Sequence, residues 1–251
     1  MKALYFKEVR SFLGSIIGYI FIIIFLITSG IFHWVVAENT NFLMGEEVDM
    51  IPFFNLSPVI LFILIPAITM RMIAEERKNG TIELLFTRPI TDLQIILAKY
   101  LAGVTLLFIS LLPTLIYYYS LVNLGVEAVD DDGIAKTVID EGATFTSYLG
   151  LFLLGCVFLA IGMFSTAVTS NQIVAFILAM FLCWFFYDGL ELIGSFSIIG
   201  DMDFIFKYVG LTSHYVSIRK GLIDTSDLVY FIGMIAIFLT ASLAVIKSLK
   251  R

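Results

Sequence analysis

Few residues in this chain have the types and the spacing that chemistry requires. Its 251 residues include two histidines, His33 and His214, and two cysteines, Cys156 and Cys183. None of the four has further ligands at a spacing that binds a metal, and both cysteines lie inside apolar segments, where packing is the expected role. No H-E-x-x-H, G-x-S-x-G or G-x-x-x-x-G-K-[S/T] motif occurs, so the sequence predicts no enzyme, no cofactor on this chain and no ATP site of its own.

Acidic residues are the remaining candidates for a binding role. Asp188 and Glu191 are three residues apart, so they share one face of a helix, near Trp184 and Tyr187 at the end of an apolar segment. Charged residues inside a membrane are functional candidates, but the aromatic neighbours also fit headgroup depth, which favours a structural role. The acid-rich segment 127–141 lacks the alternating Asp-x-Asp-x-Asp-Gly order of a calcium loop and is expected to be a solvated loop.

The element that must position these residues is a membrane bundle. The chain is 60% hydrophobic and 14% charged, and its mean hydropathy is +1.00. Because about 20 apolar residues cross the hydrocarbon as a helix, the apolar runs predict an all-α, polytopic membrane protein with six transmembrane helices. The whole chain, 1–251, is expected to be a single transmembrane domain. The predicted spans are 16–36, 51–70, 100–124, 148–168, 173–192 and 228–246.

Local sequence features refine the predicted spans. The run from 142 to 187 has 46 residues without a charge, about twice what one span needs, so it must fold back on itself. Thr169–Gln172 is its only polar break and therefore the predicted turn. Pro58 and Pro66 in span two, and Pro113 in span three, are expected to kink or locally unwind their helices.

The distribution of basic residues predicts the orientation of the spans. Eleven of the fifteen Lys and Arg residues lie before span one, in 71–99 or after span six. Because basic residues are retained inside, both termini and the 71–99 loop are expected to be cytoplasmic. Lys2, Lys7 and Arg10 interleave with apolar residues, which fits an amphipathic helix in the inner interface. His33 is expected at the opposite interface.

The segment Met70–Lys99 is the one long polar interruption that is rich in both charge signs. It begins with a helix that leaves span two and carries Glu75 and Glu76. That helix is expected to end at Asn79-Gly80, because glycine adopts the left-handed conformation after a helix without a Cβ penalty.

Two further helices are predicted in the same segment. Thr81 can cap a short helix over Ile82–Phe86, which ends before Pro89 because the residue preceding a proline favours extended geometry. Thr91 and Gln94 then form a capping box for a third helix. A short amphipathic helix held across the membrane surface between two spans is suited to docking a partner.

The run EERKNGTIELLFTRPIT, at 75–91, resembles the loop between spans two and three of ABC-2-type transporter permeases. In that family the loop carries a cytoplasmic coupling helix that sits on a separate ATPase subunit. The resemblance implies an ABC ATPase partner, which would bind the ATP, and a second permease chain, identical or different. The residues that it assigns to ATPase coupling are Glu75, Glu76, Gly80, Thr81, Glu83, Leu84, Leu85 and Pro89.

Two other segments extend the resemblance. Residues 1–13 look like the elbow helix that precedes span one in the family, and GLTSHYVSIRKGLIDTSDLVYF, at 210–231, looks like its short re-entrant helices before span six. Together they are most similar to the gliding-motility-associated (GldF-type) branch. The resemblance implies a multi-pass exporter subunit of the bacterial inner membrane, in contact with lipid and not with nucleic acid. It defines no substrate.

Two other functions remain open from the residues alone. An ion-coupled secondary transporter needs charged residues or broken helices near the middle of the membrane; the prolines fit, but the middle of the predicted spans carries no charge. A membrane-anchored interaction or mechanotransmission protein would also present a docking loop. A loop that only anchors its spans needs basic residues, but not the order Gly-Thr-x-Glu-Leu-Leu.

Overall fold

The computed structural model describes residues 1–36, 40–42, 49–83, 90–124, 139–195, 206 and 208–249, and the backbone alone at 128–129 and 135–136. The regular secondary structure among these residues is helical, apart from one short pairing in which β1 (Ala128–Val129) runs antiparallel to β2 (Ala135–Lys136). The helices are α1 Lys2–Leu13, α2 Ile16–Trp34, α3 Ile51–Thr69, α4 Ala74–Lys78, α5 Asp92–Leu111, α6 Leu115–Leu124, α7 Glu141–Val168, α8 Gln172–Trp184, α9 Leu190–Ser195, α10 Leu211–Arg219 and α11 Thr225–Ser248.

Six helical stretches in the described part of the chain are long and apolar enough to cross a membrane, which confirms the predicted number of spans. Some begin earlier than predicted; span three begins at Asp92 and span four at Glu141. Apolarity marks only the part of a helix that lies in hydrocarbon, whereas polar first turns extend beyond it. Spans one to six are Ile16–Trp34, Ile51–Lys78, Asp92–Leu124, Glu141–Val168, Gln172–Ser195 and Thr225–Ser248.

Side-chain caps determine where several spans begin. Thr91 and Gln94 form the predicted capping box at the start of α5, which satisfies backbone N–H groups that have no partner inside the helix. Asp140 accepts a hydrogen bond from the Ala143 N–H at 3.0 Å. Asp224 caps α11 in the same way. The hydrogen bonds that its carboxylate accepts, first of all from the Ser226 N–H, hold the pKa of this carboxyl below the usual range.

The fourth span, α7, lies at the centre of the bundle. It contacts α3, α5, α8, α10 and α11. Of its apolar stretch, 78% is buried inside the protein, against 28% of the corresponding stretch of span one. Glycines permit this close packing. A Cβ atom at Gly155 would lie 2.5 Å from Leu107 Cδ2, and one at Gly162 would lie 2.2 Å from Thr69 Oγ1. A side chain at either glycine would therefore push α7 away from span three or span two.

The prolines and the predicted turn have different outcomes. Helix α3 continues through Pro58 and Pro66, and its first irregular turn begins only at Met70. Pro113 lies in a 3₁₀ turn that joins α5 to α6. The regular α-helix of span three is therefore interrupted at this proline. The chain reverses at Thr169–Gln172, where Asn171 caps α8.

His33 lies at the end of span one, and its side chain is fully buried. Its Nδ1 atom bonds to the Thr40 carbonyl oxygen at 2.8 Å, and its ring stacks on Phe42 with a centroid distance of 4.7 Å. The carboxyl-terminal end of span one therefore packs against residues 40–42. Cys156 and Cys183 are buried free thiols and fit the predicted packing role.

Candidate functional site

The polar segment after span two starts with a turn that α7 holds in place. Thr166 of α7 accepts a hydrogen bond from the Ala74 N–H at 2.9 Å and donates one to the Met70 carbonyl at 3.2 Å. These bonds satisfy backbone groups that the break between α3 and α4 leaves unpaired inside the bundle. The direction of α4 is therefore set by a side chain of span four.

A second bond fixes the other side of α4. The Arg77 guanidinium donates to the carbonyl oxygen of Ala167 in the last turn of α7. Carbonyl groups at the end of a helix lack partners in the helix and carry partial negative charge, so a cation is favourable there. Helix α4 and the end of α7 consequently stabilise each other.

Lys99 is buried in α5 although it carries a charge. Its side chain is 2% exposed, and its ammonium lies 2.8 Å from Glu76 Oε1 and 3.2 Å from Glu8 Oε1. Glu76 belongs to α4 and Glu8 to α1, so one cation joins three helices. A lysine is rarely this buried unless it is paired. We call Glu8, Glu76 and Lys99 the Lys99 triad.

Helix α1 packs along the first half of α5 and brings Glu8 to this position. Leu4 contacts Ile95 and Ala98 in a small apolar cluster, and the Tyr5 hydroxyl lies 2.8 Å from Thr105 Oγ1. The amino-terminal helix is therefore attached to span three by packing as well as by charge.

An open cavity of about 770 Å³ lies beside the Lys99 triad and is lined by both α1 and the α3–α4 region. Its wall is apolar at Ile17 and Ile68, and polar at Lys7, Arg71 and Glu75. Lys99 bridges Glu8 of α1 and Glu76 of α4 at one side of this cavity.

The end of α4 presents the predicted docking segment. Gly80 has φ +69°, the left-handed conformation expected after the helix. The Thr81 hydroxyl, predicted to cap the next helix, donates to the Glu76 carbonyl of α4 at 3.3 Å. Ile82 and Glu83 have helical backbone, and Glu83 is exposed. The segment therefore leaves α4 through a tight turn and points polar groups outward.

Residues 3–248 match the profile of the family described as ABC-2 family transporter protein. The chain belongs to this family. A comparison with curated proteins finds no match. Family membership makes the chain a multi-pass membrane protein and a transporter permease subunit, and it implies an ABC ATPase as partner. It also fits a membrane subunit without its own ATPase site. The narrower gliding-motility assignment stays a prediction.

The structure describes five of the eight predicted coupling residues of this permease. Glu75, Glu76, Gly80, Thr81 and Glu83 lie on α4 or directly after it, whereas the predicted Leu84, Leu85 and Pro89 lie outside the described residues. Their assignment to ATPase coupling stays a prediction. The carboxylate of Glu76 is engaged by Lys99, so it fixes the base of the loop.

Sequence reasoning about the permease missed the roles of three groups that hold the loop. Glu8 was one charge in a mainly basic amino-terminal helix, and nothing in its spacing indicated a partner 91 positions away. Lys99 was noted only as a basic residue downstream of the run that resembles the family loop. Its position beyond Ile95 and Ile96 in an apolar helix was the available signal, because a buried lysine requires an acidic partner. Thr166 carried no signal at all.

Asp188 and Glu191, the acidic candidates of the permease, are near each other and form no ion pair among the described residues. Asp188 lies in a π-helical turn, Phe185–Gly189, that joins α8 to α9, and Glu191 lies at the start of α9. Both line an open surface cleft with Trp184. π-Helical turns often occur at functional sites, but no buried polar group of the described chain points into this cleft. Their role stays a prediction.

Proposed function

We propose that this permease subunit couples ATP hydrolysis by a separate ABC ATPase to the movement of a substrate across the bacterial inner membrane. The supporting observation is the contrast between the base and the tip of the loop after span two. The base is joined to three helices by the Lys99 triad and to α7 by Thr166 and Arg77. The tip at Thr81 and Glu83 is exposed.

This contrast suits a mechanical contact. A helix of one or two turns has little stability by itself, so segment 81–87 needs support at its ends and a partner on its face. In the proposed mechanism Leu84 and Leu85 fill a groove on the ATPase, and Glu83 pairs with a basic group there. A push on the segment moves α4, and Lys99 passes the displacement to α1 and span three.

The coupling proposal is tested with the complex of the permease and its ATPase. The double variant Leu84→Ala/Leu85→Ala should reduce co-purification of the ATPase at least tenfold, because truncating a central contact commonly weakens binding by about 2 kcal/mol or more. Arg88→Ala, at the rim of the segment, is the control and should have a small effect. Full complex formation by the double variant at normal expression would reject the docking role.

The proposed orientation places both termini and the 71–99 loop in the cytoplasm, with α1 in the inner interface. It is tested by single-cysteine labelling of intact cells with a membrane-impermeant thiol reagent, in a background without Cys156 and Cys183. Lys136→Cys should react, whereas Lys78→Cys, on the exposed side of α4, should react only after the cells are opened. The reverse pattern would overturn the orientation.

The proposed assembly contains two permease chains and two ATPase subunits, and the permease chains are identical or different. The native mass of the purified complex, with each chain identified, distinguishes these two forms. Purified alone, the permease should hydrolyse no ATP above a detergent blank. The proposed link to gliding motility rests on the resemblance of the amino-terminal and 210–231 segments; loss of gliding on gene deletion, restored by the intact gene, is the result that it requires.

A further inference from the structure

His214 is buried where α10 meets the start of span six, away from the proposed docking loop. Its side chain is 5% exposed and that of Asp227 is 8% exposed. His214 Nδ1 lies 2.6 Å from Asp227 Oδ1, and His214 Nε2 lies 2.8 Å from the carbonyl oxygen of Tyr208. Because six spans alternate in direction, the start of span six lies at the opposite end of the bundle from Lys99 at the start of span three.

The positions of these oxygen atoms determine the protons on the ring. A carbonyl oxygen only accepts hydrogen bonds, so Nε2 of His214 must carry a hydrogen. A neutral ring would then direct the lone pair of Nδ1 at a carboxylate oxygen 2.6 Å away, which is repulsive. A proton must therefore lie between the two atoms. With this proton on Nδ1, the ring is an imidazolium ion and Asp227 is a carboxylate.

The aromatic neighbour of His214 supports this charge. The Tyr230 ring stacks on the imidazole with a centroid distance of 3.9 Å and an interplanar angle of 20°, and a cation over an aromatic face is attracted to it. The Tyr230 hydroxyl also donates to the carbonyl oxygen of Val209. Span six thus holds the segment 208–210 through Tyr230 and holds α10 through Asp227.

We propose that His214 and Asp227 form a proton-operated clasp that fastens α10 to the outer end of span six. With the proton present, the imidazolium and the carboxylate form a neutral buried pair. Without it, the carboxylate of Asp227 is a buried charge with no cationic partner, and the clasp opens. The clasp does not depend on ATPase docking, so it adds a regulated contact at the end of the permease that lies away from the loop.

The surroundings of the pair make His214 the group that responds to pH. The titratable side chains in contact with the ring are Asp227 and Tyr230 of α11 and Tyr208 of the preceding segment. Tyrosines stay neutral near pH 7. Asp227 Oδ2 is buried and has no hydrogen-bond partner among the described residues. Among the described residues, His214 is therefore the one cationic partner of this carboxylate.

The direction of the pH effect follows from proton counting. The closed clasp holds one proton that the open form releases above about pH 7, where a free imidazole is mainly neutral. Stability that depends on a bound proton decreases as the pH rises. The ratio of closed to open clasp should therefore fall up to tenfold for each pH unit in the alkaline range, and α10 should be most tightly held at mildly acidic pH.

The test uses the full permease in lipid nanodiscs with ¹⁵N-labelled histidine. The chain has only two histidines, so a His33→Gln sample assigns the remaining signals to His214. At pH 7 both ring nitrogens of His214 should have the shifts of protonated nitrogens. A neutral ring, with one unprotonated nitrogen at pH 7, would overturn the proposal.

Two variants separate the proton from the contact. Asp227→Asn should keep the clasp in a neutral form, with the amide N–H₂ donating to Nδ1 and Nε2–H still bonded to Tyr208. Hydrogen exchange of the 211–219 amides, corrected for the intrinsic pH dependence, should then no longer vary between pH 6 and 9. In the unmodified permease the protection of these amides should fall at least tenfold over that range. Equal pH dependence in both proteins would reject the clasp.

Asp224→Asn is the matched control, because this residue is an exposed cap of the same helix and does not touch His214. It should leave both the ¹⁵N signals and the pH dependence unchanged. His214→Phe keeps an aromatic ring but removes both bonds, so the 211–219 amides should lose protection at every pH. Retained protection in His214→Phe would likewise overturn the proposal.

Discussion

The Lys99 triad and the His214 clasp are buried ionic groups at opposite ends of one helix bundle, and they differ in what keeps them charged. Lys99 shares its ammonium group between two carboxylates that come from two other helices. In the proposed clasp, the charge of His214 depends on a proton at Nδ1 that faces one carboxylate, that of Asp227. The two ends therefore have different tasks available to them: one can transmit displacement, and the other can respond to protons.

The two groups also differ in the number of charges that they contain and in their access to water. The triad joins two carboxylates to one ammonium group and borders an open cavity, so water reaches one side of it; the side chain of Glu76 is 21% exposed. The clasp joins one cation to one anion away from water. A pair that is closed off from water must be neutral as a whole, whereas a partly hydrated group tolerates an extra acid.

The largest effect in this comparison is expected for Lys99→Met. The variant removes the buried ammonium group that Glu8 and Glu76 share, and it leaves Glu8 only the exposed Lys7, 3.8 Å from its Oε1 atom. Breaking a buried ion pair by removing one partner costs about 3–5 kcal/mol. Unfolding in mixed SDS micelles should show this loss equally at pH 6 and pH 8. Lys99→Arg, which keeps the charge, should recover most of it. Similar stability of Lys99→Met and the original chain would mean that the triad is not a structural junction.

A smaller effect is expected for Thr166→Val at the same end of the bundle. Valine has the same shape but cannot accept from Ala74 or donate to Met70, and a buried unsatisfied backbone group costs about 1–3 kcal/mol. The same unfolding assay measures it, and Ser165→Ala, which removes only a bond to the Ile161 carbonyl of its own helix, is the control. An equal effect of both variants would show that Thr166 has no special role at the turn.

The smallest effect is expected for Tyr230→Phe at the clasp. This variant keeps the ring that stacks on His214 but loses the bond to Val209, and such a bond contributes about 1 kcal/mol. Hydrogen exchange at 208–210 should increase, while the pH dependence of the 211–219 amides stays unchanged. A changed pH dependence would mean that the hydroxyl of Tyr230, and not only Asp227, controls the proton.

Periodicity and caps made much of this fold predictable. Six apolar runs of sufficient length, the capping box at Thr91 and the left-handed turn at Gly80 depend on local physical chemistry, so the sequence contains them directly. The ionic groups were not predictable in this way. Glu8 and Glu76 meet Lys99 only because α1, α4 and α5 converge, and such convergence is a property of packing.

The same distinction explains the errors in the span boundaries and the burial of His33. Apolar windows identify the hydrocarbon-facing part of a helix and miss polar turns such as Asp92 and its neighbours. His33 was placed by its distance from the middle of span one, whereas Phe42, nine residues later in an irregular segment, covers it. Contacts made by irregular segments leave no periodic pattern in a sequence.

The central position of α7 has a consequence for how the chain is assembled during synthesis. Spans one to three leave the ribosome before α7, so the grooves beside Thr69 and Leu107 must stay open until residue 168 has been made. Only then can Gly155 and Gly162 enter these grooves and Thr166 bind the turn before Ala74. The turn between α3 and α4 therefore acquires its final direction only once the fourth span is in place.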